Sequence, residues 1–216
     1  MVRNALEVPL LSNWREQSIM FLRSIQPPIP DIYFAITITT MGTYPQLSLP
    51  QDETLVLRPV TPEDDAFLLA VYDSTRAEEL AQAQWQDGQR EIFLRWQFDL
   101  QRREYEARFP QAEYYVVVIN DEPAGRVWIG EDERQIRLLD IALLPQFQNR
   151  GAGTALLGWL IEKAKAGAKP LRHMVFMLNS DAHRFYERLG FVVIEDLGAY
   201  KHMEWSEPPA VAGGPN

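Results

Sequence analysis

Gln148-Asn149-Arg150-Gly151-Ala152-Gly153-Thr154 lies between an apolar run, Ile136 to Leu144, that reads as a buried strand, and an amphipathic stretch, Ala155 to Ala166, that reads as a helix. Gly151 and Gly153 in such a turn let backbone approach a ligand with no Cβ in the way. The N–H groups of the helix's first turn have no intrahelical partner, and the helix dipole favours an anion there. A phosphate-bearing ligand is the natural candidate, and a tight structural turn is the plain alternative. The glycine and lysine spacing of a P-loop is missing. So is the three-glycine dinucleotide fingerprint, with its acidic residue at the end of a second parallel strand.

Outward from this loop, the pattern alternates between strands and helices. Thr54 to Val60 reads as an opening strand, and Thr61-Pro62-Glu63-Asp64 as a helix start, with Thr61 at the N-cap and acids suited to the dipole. Phe67, Leu68, Val71 and Tyr72 form the apolar stripe of that helix. A second helical region runs from Ala77 to about Ala83, and a third from Gln89 to Arg108, with Phe93, Trp96, Leu100 and Tyr105 expected on one side. Tyr114 to Ile119 and Ala124 to Ile129 read as a hairpin around Asn120-Asp121-Glu122-Pro123. After the loop and its helix come a strand from Arg172 to Leu178 and a helix from Ala182 to Leu189, capped by Asn179-Ser180-Asp181. Strands at Phe191 to Ile194 and Tyr200 to Trp205 close the series.

A chain of 216 residues allows one domain with a full core and some extra length. The net charge of −9 argues against nucleic acid or an anionic membrane as the main partner. With no cysteine, disulfides, thiolate metal sites and a cysteine nucleophile are excluded. His173, His183 and His202 lack metal-ligand spacing and read as structural or surface residues, so no metal is expected.

Residues 1–50 differ from the rest and read as an N-terminal extension of unassigned role. A loose helical pattern ends at Pro27-Pro28-Ile29-Pro30, and the apolar run Ile32 to Met41 is too short to span a bilayer. Arg15, Glu16 and Arg23 interrupt any signal-peptide core, so a cytoplasmic protein is expected. The change in composition suggests Met41 as the true initiator. Peptides from residues 1–40 in mass spectra of the native protein would refute that. The Pro/Gly/Ala-rich tail, 206–216, is expected to be disordered.

The order β-α-α-β-β-β-α-β-α-β-β, together with two motifs, resembles the GCN5-related N-acetyltransferase (GNAT) superfamily over 51–205. Pro145 and the loop from Gln148 to Gly153 look like that family's first coenzyme motif. Asn179-Ser180-Asp181-Ala182 and Phe185-Tyr186-Glu187-Arg188-Leu189-Gly190-Phe191 look like its second. The resemblance implies an α/β (α+β) fold with a mixed, mostly antiparallel central sheet flanked by helices. It implies acetyl-coenzyme A as cosubstrate and a small-molecule or peptide amine as acceptor, attacked directly in a ternary complex. A homodimer is compatible with the family's exposed C-terminal strands.

On this resemblance, Ile141, Ala142 and Leu143 would run along the pantetheine arm, with Leu139, Ile141 and Leu143 on one face and Asp140 and Ala142 on the other. Gln148, Asn149, Arg150, Gly151, Ala152, Gly153 and Thr154 would wrap the pyrophosphate, and Asn179 would bond the pantetheine amide or cap its own helix. Tyr186 would be the catalytic acid, because a phenol of pKa about 10 is protonated at neutral pH and can reprotonate a leaving thiolate. Where relatives that modify histones carry a glutamate base, this chain has about Arg137. Glu104, Glu106, Asp140 or a water chain are the candidates that remain. The wall between Tyr72 and Pro110 would select the acceptor, with Trp85, Trp96 and Tyr105 suggesting an aromatic, partly anionic pocket. A non-catalytic acyl-coenzyme A binding module and an O-acyl or larger-acyl transferase are the competing readings.

Overall fold

The computed structural model describes residues 44–207. The helical pattern before Pro27, the run Ile32 to Met41, the proposed start at Met41 and the tail after Glu207 lie outside the described residues. Eight strands form one sheet in the order β1-β2-β3-β4-β5-β6-β8-β7. They are β1 (Gln46–Ser48), β2 (Thr54–Pro59), β3 (Glu113–Ile119), β4 (Glu122–Glu131), β5 (Ile136–Leu143), β6 (Leu171–Phe176), β7 (Val192–Asp196) and β8 (Tyr200–Trp205). Every neighbouring pair is antiparallel except β5 and β6. The helices are α1 (Asp65–Ser74), α2 (Ala77–Leu80), α3 (Gln89–Arg108), α4 (Ala152–Ala166) and α5 (Ser180–Arg188). This is the mixed, mostly antiparallel sheet flanked by helices that the sequence led us to expect. The sheet begins at Gln46, inside the stretch assigned to the N-terminal extension.

Successive residues of β3 and β4 face opposite sides of the sheet, and both sides are buried, which divides the core in two. Val117, Ile119, Val127 and Ile129 face one cluster, where α4 contributes Leu156, Leu157 and Leu160 and α5 contributes Tyr186. Val116 and Trp128 face the other, built from Leu68 and Tyr72 of α1 and Leu94 and Phe98 of α3. Strands β4 and β5 run unusually close, because a Cβ on Gly125 would lie 2.2 Å from the Ala142 carbonyl oxygen. No helix of the described residues is long and apolar enough to cross a membrane.

Two expectations about faces are corrected. On α3 the buried stripe is Leu94 and Phe98, with Tyr105 partly buried, while Trp96 is 55% and Leu100 39% exposed. The helix is turned so that Phe98 and Gln101 meet Arg126 of β4, which the chosen aromatic stripe ignored. On β5 the alternation fails at Leu139. Trp128 pairs with Asp140 but Ile129 pairs with Leu138, so Leu139 is an extra residue, a β-bulge. Leu138 therefore faces α4 and α5, Leu139 faces α1 and α3, and Ile141 and Leu143 return to the α4 side. Leu139 does not share a face with Ile141 and Leu143.

Candidate functional site

The parallel pair β5 and β6 stays joined only where Ile136, Arg137 and Leu138 meet Leu171, Arg172 and His173. Beyond that point β6 continues against β8 alone, and β5 turns through its bulge toward the glycine loop. The strands splay, which leaves the β5 edge from Leu139 onward without a partner strand on that side. An unpaired strand edge offers backbone N–H and C=O groups to an extended ligand. The wedge opens into a cleft of 870 Å³ whose lining includes Leu139, Asp140 and Ile141 of β5, His173 of β6, and Asn179 and Tyr186 of the α5 segment.

Each of these side chains is held by its neighbours. Tyr186 is 4% exposed, with ring centroids 4.7 Å from His173 and 5.4 Å from Phe191. Burial, reinforced by the charge of Asp140, pushes its phenol well above the usual range, so the hydroxyl keeps its proton. His173 Nδ1 lies 3.0 Å from the Leu138 carbonyl oxygen. A carbonyl only accepts, so Nδ1 carries the hydrogen and Nε2 has the free lone pair. Burial brings the His173 pKa down to about 4 despite that hydrogen bond, and the ring is neutral at physiological pH. Asn179 Oδ1 accepts from the Ala182 N–H at 3.0 Å, so this side chain caps α5 and also lines the cleft.

The acceptor wall differs from the expected one. Trp85 packs on Phe93 at 5.3 Å and donates to the Leu80 carbonyl at 2.7 Å; Trp85 and Trp96 do not line the cleft. Besides Tyr186, the tyrosines that line it are Tyr72, Tyr105 and Tyr200, and Tyr105 donates its hydroxyl to the Leu139 carbonyl at 3.0 Å. Of the acids considered as base, Glu104 and Asp140 line the cleft, whereas Glu106 does not and pairs with Arg102 at 3.7 Å. Burial raises the Glu104 carboxyl, partly offset by Arg108 at 3.2 Å. Asp140 forms an ion pair with Arg126, which is 1% exposed.

Arg126 is the residue the sequence reading missed. Its guanidinium lies 4.4 Å from the Trp128 ring centroid and 5.6 and 5.7 Å from those of Tyr72 and Phe98. It also donates to the Gln101 side chain at 3.3 Å. The available signal was an arginine in the middle of an otherwise apolar strand, Ala124 to Ile129. His173, read as structural or surface, lies in the cleft wall.

The glycine loop lies at the far end of the β5 edge, and Gln148 to Thr154 are outside the cleft lining. Gln148 donates its side-chain N–H to the Leu143 carbonyl at 2.8 Å, tying the loop to β5. Asn149 and Gly151 take the left-handed backbone conformation at φ 60° and 88°. Gly151 is the N-cap of α4 and no side chain caps that helix. Arg150 forms an ion pair with Glu53, which precedes β2, so its charge is already matched within the protein. Ala152 is buried, and Gly153 faces Phe185, whose Cζ would sit 3.3 Å from an added Cβ. Among the described residues no group of three or more His, Asp or Glu could hold a metal ion.

Comparison with known proteins follows the same lines. Residues 70–191 match the model of the acetyltransferase (GNAT) family. An uncharacterized N-acetyltransferase of Methanocaldococcus jannaschii is 30% identical over 161 residues, covering 70% of this chain and 66% of that protein. An uncharacterized N-acetyltransferase of Bacillus subtilis strain 168, CgeE, is 28% identical over 78 residues, covering 36% of this chain and 30% of that protein. The chain thus spans less than two thirds of these relatives' own lengths. The PaiA N-acetyltransferase of Thermoplasma acidophilum, solved in complex with coenzyme A, shares the fold at a TM-score of 0.56. It is 21% identical, with 71% of this chain and 99% of that one covered. An acetyltransferase from Thermus thermophilus gives 0.54 at 23% identity, over 71% of this chain and 97% of that one. The splayed parallel strands, the loop before α4 and the family match over more than half of the residues lead to one conclusion: the chain belongs to the GNAT acetyltransferase family.

Proposed function

We propose that this protein is an acetyl-coenzyme A-dependent N-acetyltransferase in which an amine attacks the thioester directly, within a ternary complex. The observation that carries the reading is the wedge between β5 and β6, which presents an unpaired strand edge and the protonated Tyr186 to one cleft. The backbone of Ile141, Ala142 and Leu143 would hydrogen-bond the pantetheine arm as an added strand. Gln148, Asn149, Arg150, Gly151, Ala152, Gly153 and Thr154 would receive the pyrophosphate at the uncapped N-terminus of α4, with backbone N–H groups as the main donors. Asn179 would meet the amide portion of the arm while capping α5. When bound, the cosubstrate supplies an activated acetyl group. Tyr186 holds a proton where a thiolate would depart, which is the task of a general acid.

The amine acceptor would enter between α1, α3 and β5, opposite that edge. Val192, Val193 and Ile194 are exposed on edge strand β7 and favour a homodimer joined there. A cytoplasmic setting goes with the same reading. Residues 51–205 would form the catalytic domain, with the preceding strand β1 added to the edge of its sheet.

The test is the thermal unfolding midpoint of the full chain with acetyl-coenzyme A, coenzyme A or ATP. Ligand at 100 times its dissociation constant adds about 2.7 kcal/mol. Both coenzyme species should raise the midpoint by several degrees and ATP should not. No shift with any of the three overturns the proposal.

A further inference from the structure

Most of the charge in the acceptor half of the cleft is matched in pairs. Arg76 lies 3.5 Å from Glu79, Arg108 lies 3.2 Å from Glu104, and Arg126 pairs with Asp140. Of the lining charges outside these pairs, Glu78 is exposed and Arg137 is half-buried. No carboxylate of the described residues forms an ion pair with Arg137. After burial, the strongest influence on it is the cation Arg172, itself engaged with Glu204; Arg108, engaged with Glu104, adds to this, and Tyr105 and, more weakly, Asp132 offset part of it. Burial and these like charges together disfavour the charged form of Arg137. A guanidinium withdrawn from water without a counter-ion is costly, and an anion delivered by a ligand would relieve that cost.

We propose that the acceptor is an amine that also bears a carboxylate, and that Arg137 receives this carboxylate while the amine lies toward Leu139 and Tyr186. The inference rests on the acetyltransferase reading above. Arg137 sits on β5 two residues before Leu139, a separation on the order of 7 Å along a strand. Its side chain shares the cleft with the unpaired strand edge. The planar guanidinium matches a carboxylate through two parallel N–H···O bonds. One unmatched cation suits a single negative charge. A phosphate dianion would call for a second free cation, and the neighbouring Arg108 and Arg172 are already paired with acids.

The experiment uses the full chain, acetyl-coenzyme A and matched primary amines, each ω-amino carboxylate set against its own carboxamide, with coenzyme A release as readout. The carboxylates should exceed their amides by at least about tenfold in kcat/KM. Arg137→Gln should lower kcat/KM for the carboxylates by about 10- to 100-fold, mainly through KM, and erase the difference between acid and amide. Arg137→Lys should recover part of it. Calorimetric binding of the same amine pairs to the coenzyme A-loaded protein gives a second readout that needs no turnover. Absence of an acid preference in both readouts overturns the proposal. So does a fall in coenzyme A affinity in Arg137→Gln, which would move the residue to the coenzyme side. If the wild-type protein fails to bind coenzyme A, the acetyltransferase reading itself falls. Carboxylate binding that depends on Arg137 in the free protein would then still uphold the anion site.

Discussion

The Tyr186 ring packs against those of His173, Phe185 and Phe191, and burial keeps its hydroxyl protonated beyond the ordinary phenol range. Tyr186→Phe removes only that proton donor. Turnover should fall about 100-fold, while the midpoint shift produced by acetyl-coenzyme A persists. Unchanged turnover would remove Tyr186 from the chemistry, and loss of the shift would make it a binding residue. Arg126 and Asp140 lead to a different expectation. Removing one partner of a buried ion pair strands the other, so Arg126→Met should cost about 3–5 kcal/mol. The double variant Arg126→Met with Asp140→Asn should regain a large part of that loss in urea titrations. An additive double variant would show that the pair is not coupled. The place of Tyr186 in the cleft was legible because it lies in a segment with a recognisable motif. Arg126 was not, because its significance comes from Trp128, Phe98 and Asp140, which only the folded sheet brings together.

Among the elements, strands other than β1 and the helices were read nearly to their ends, since the apolar runs and turn residues of β3 and β4 and the Pro and Gly signals around α1 and α4 are local. Faces were read less well. On α3 both Leu94 and Trp96 are apolar, and the choice between them depends on a partner, Arg126, that belongs to another element. The bulge in β5 leaves no mark in the sequence Leu138-Leu139-Asp140, because both leucines are buried, on opposite faces. The close approach of β4 and β5 is equally silent. Gly125→Ala would press a methyl group into the Ala142 carbonyl and should cost about 3 kcal/mol. That corresponds to a midpoint drop of roughly 6–12 °C for a domain of this size. A drop under 2 °C, with about 2–4 °C expected per kcal/mol, would mean that the strands separate without strain.

For the molecule as a whole, His173 and Asp64 have the largest downward shifts among the groups that tie stability to acid pH. His173 has a folded pKa of about 4 against roughly 6.5 in an unfolded chain. Between those values the unfolded state binds the proton first, so stability should fall as pH drops from about 6.5 to about 4. The single-site limit is on the order of 3 kcal/mol. Asp64, held at about 2 chiefly by its hydrogen bonds to Arg58, adds a further loss only below about pH 4. Midpoints recorded from pH 8 to pH 3 should show both limbs. His173→Gln should flatten the first and leave the second, and an unchanged first limb would rule His173 out as its source. The whole sheet also depends on one count. Leu139 is a single added residue that reverses which side every later β5 residue faces, so the strand changes parity in the middle of the cleft. Deleting Leu139 would restore simple alternation and keep nearly all of the composition. It would also leave Asp140 on the side of Arg126 and Ile141 on the side of α4, because Leu138, Asp140 and Ile141 then alternate in step with Ile129, Trp128 and Val127. For this protein, losing the one residue at the bulge should therefore do less harm than losing any residue of β5 beyond it, which would swap the faces of all that follow.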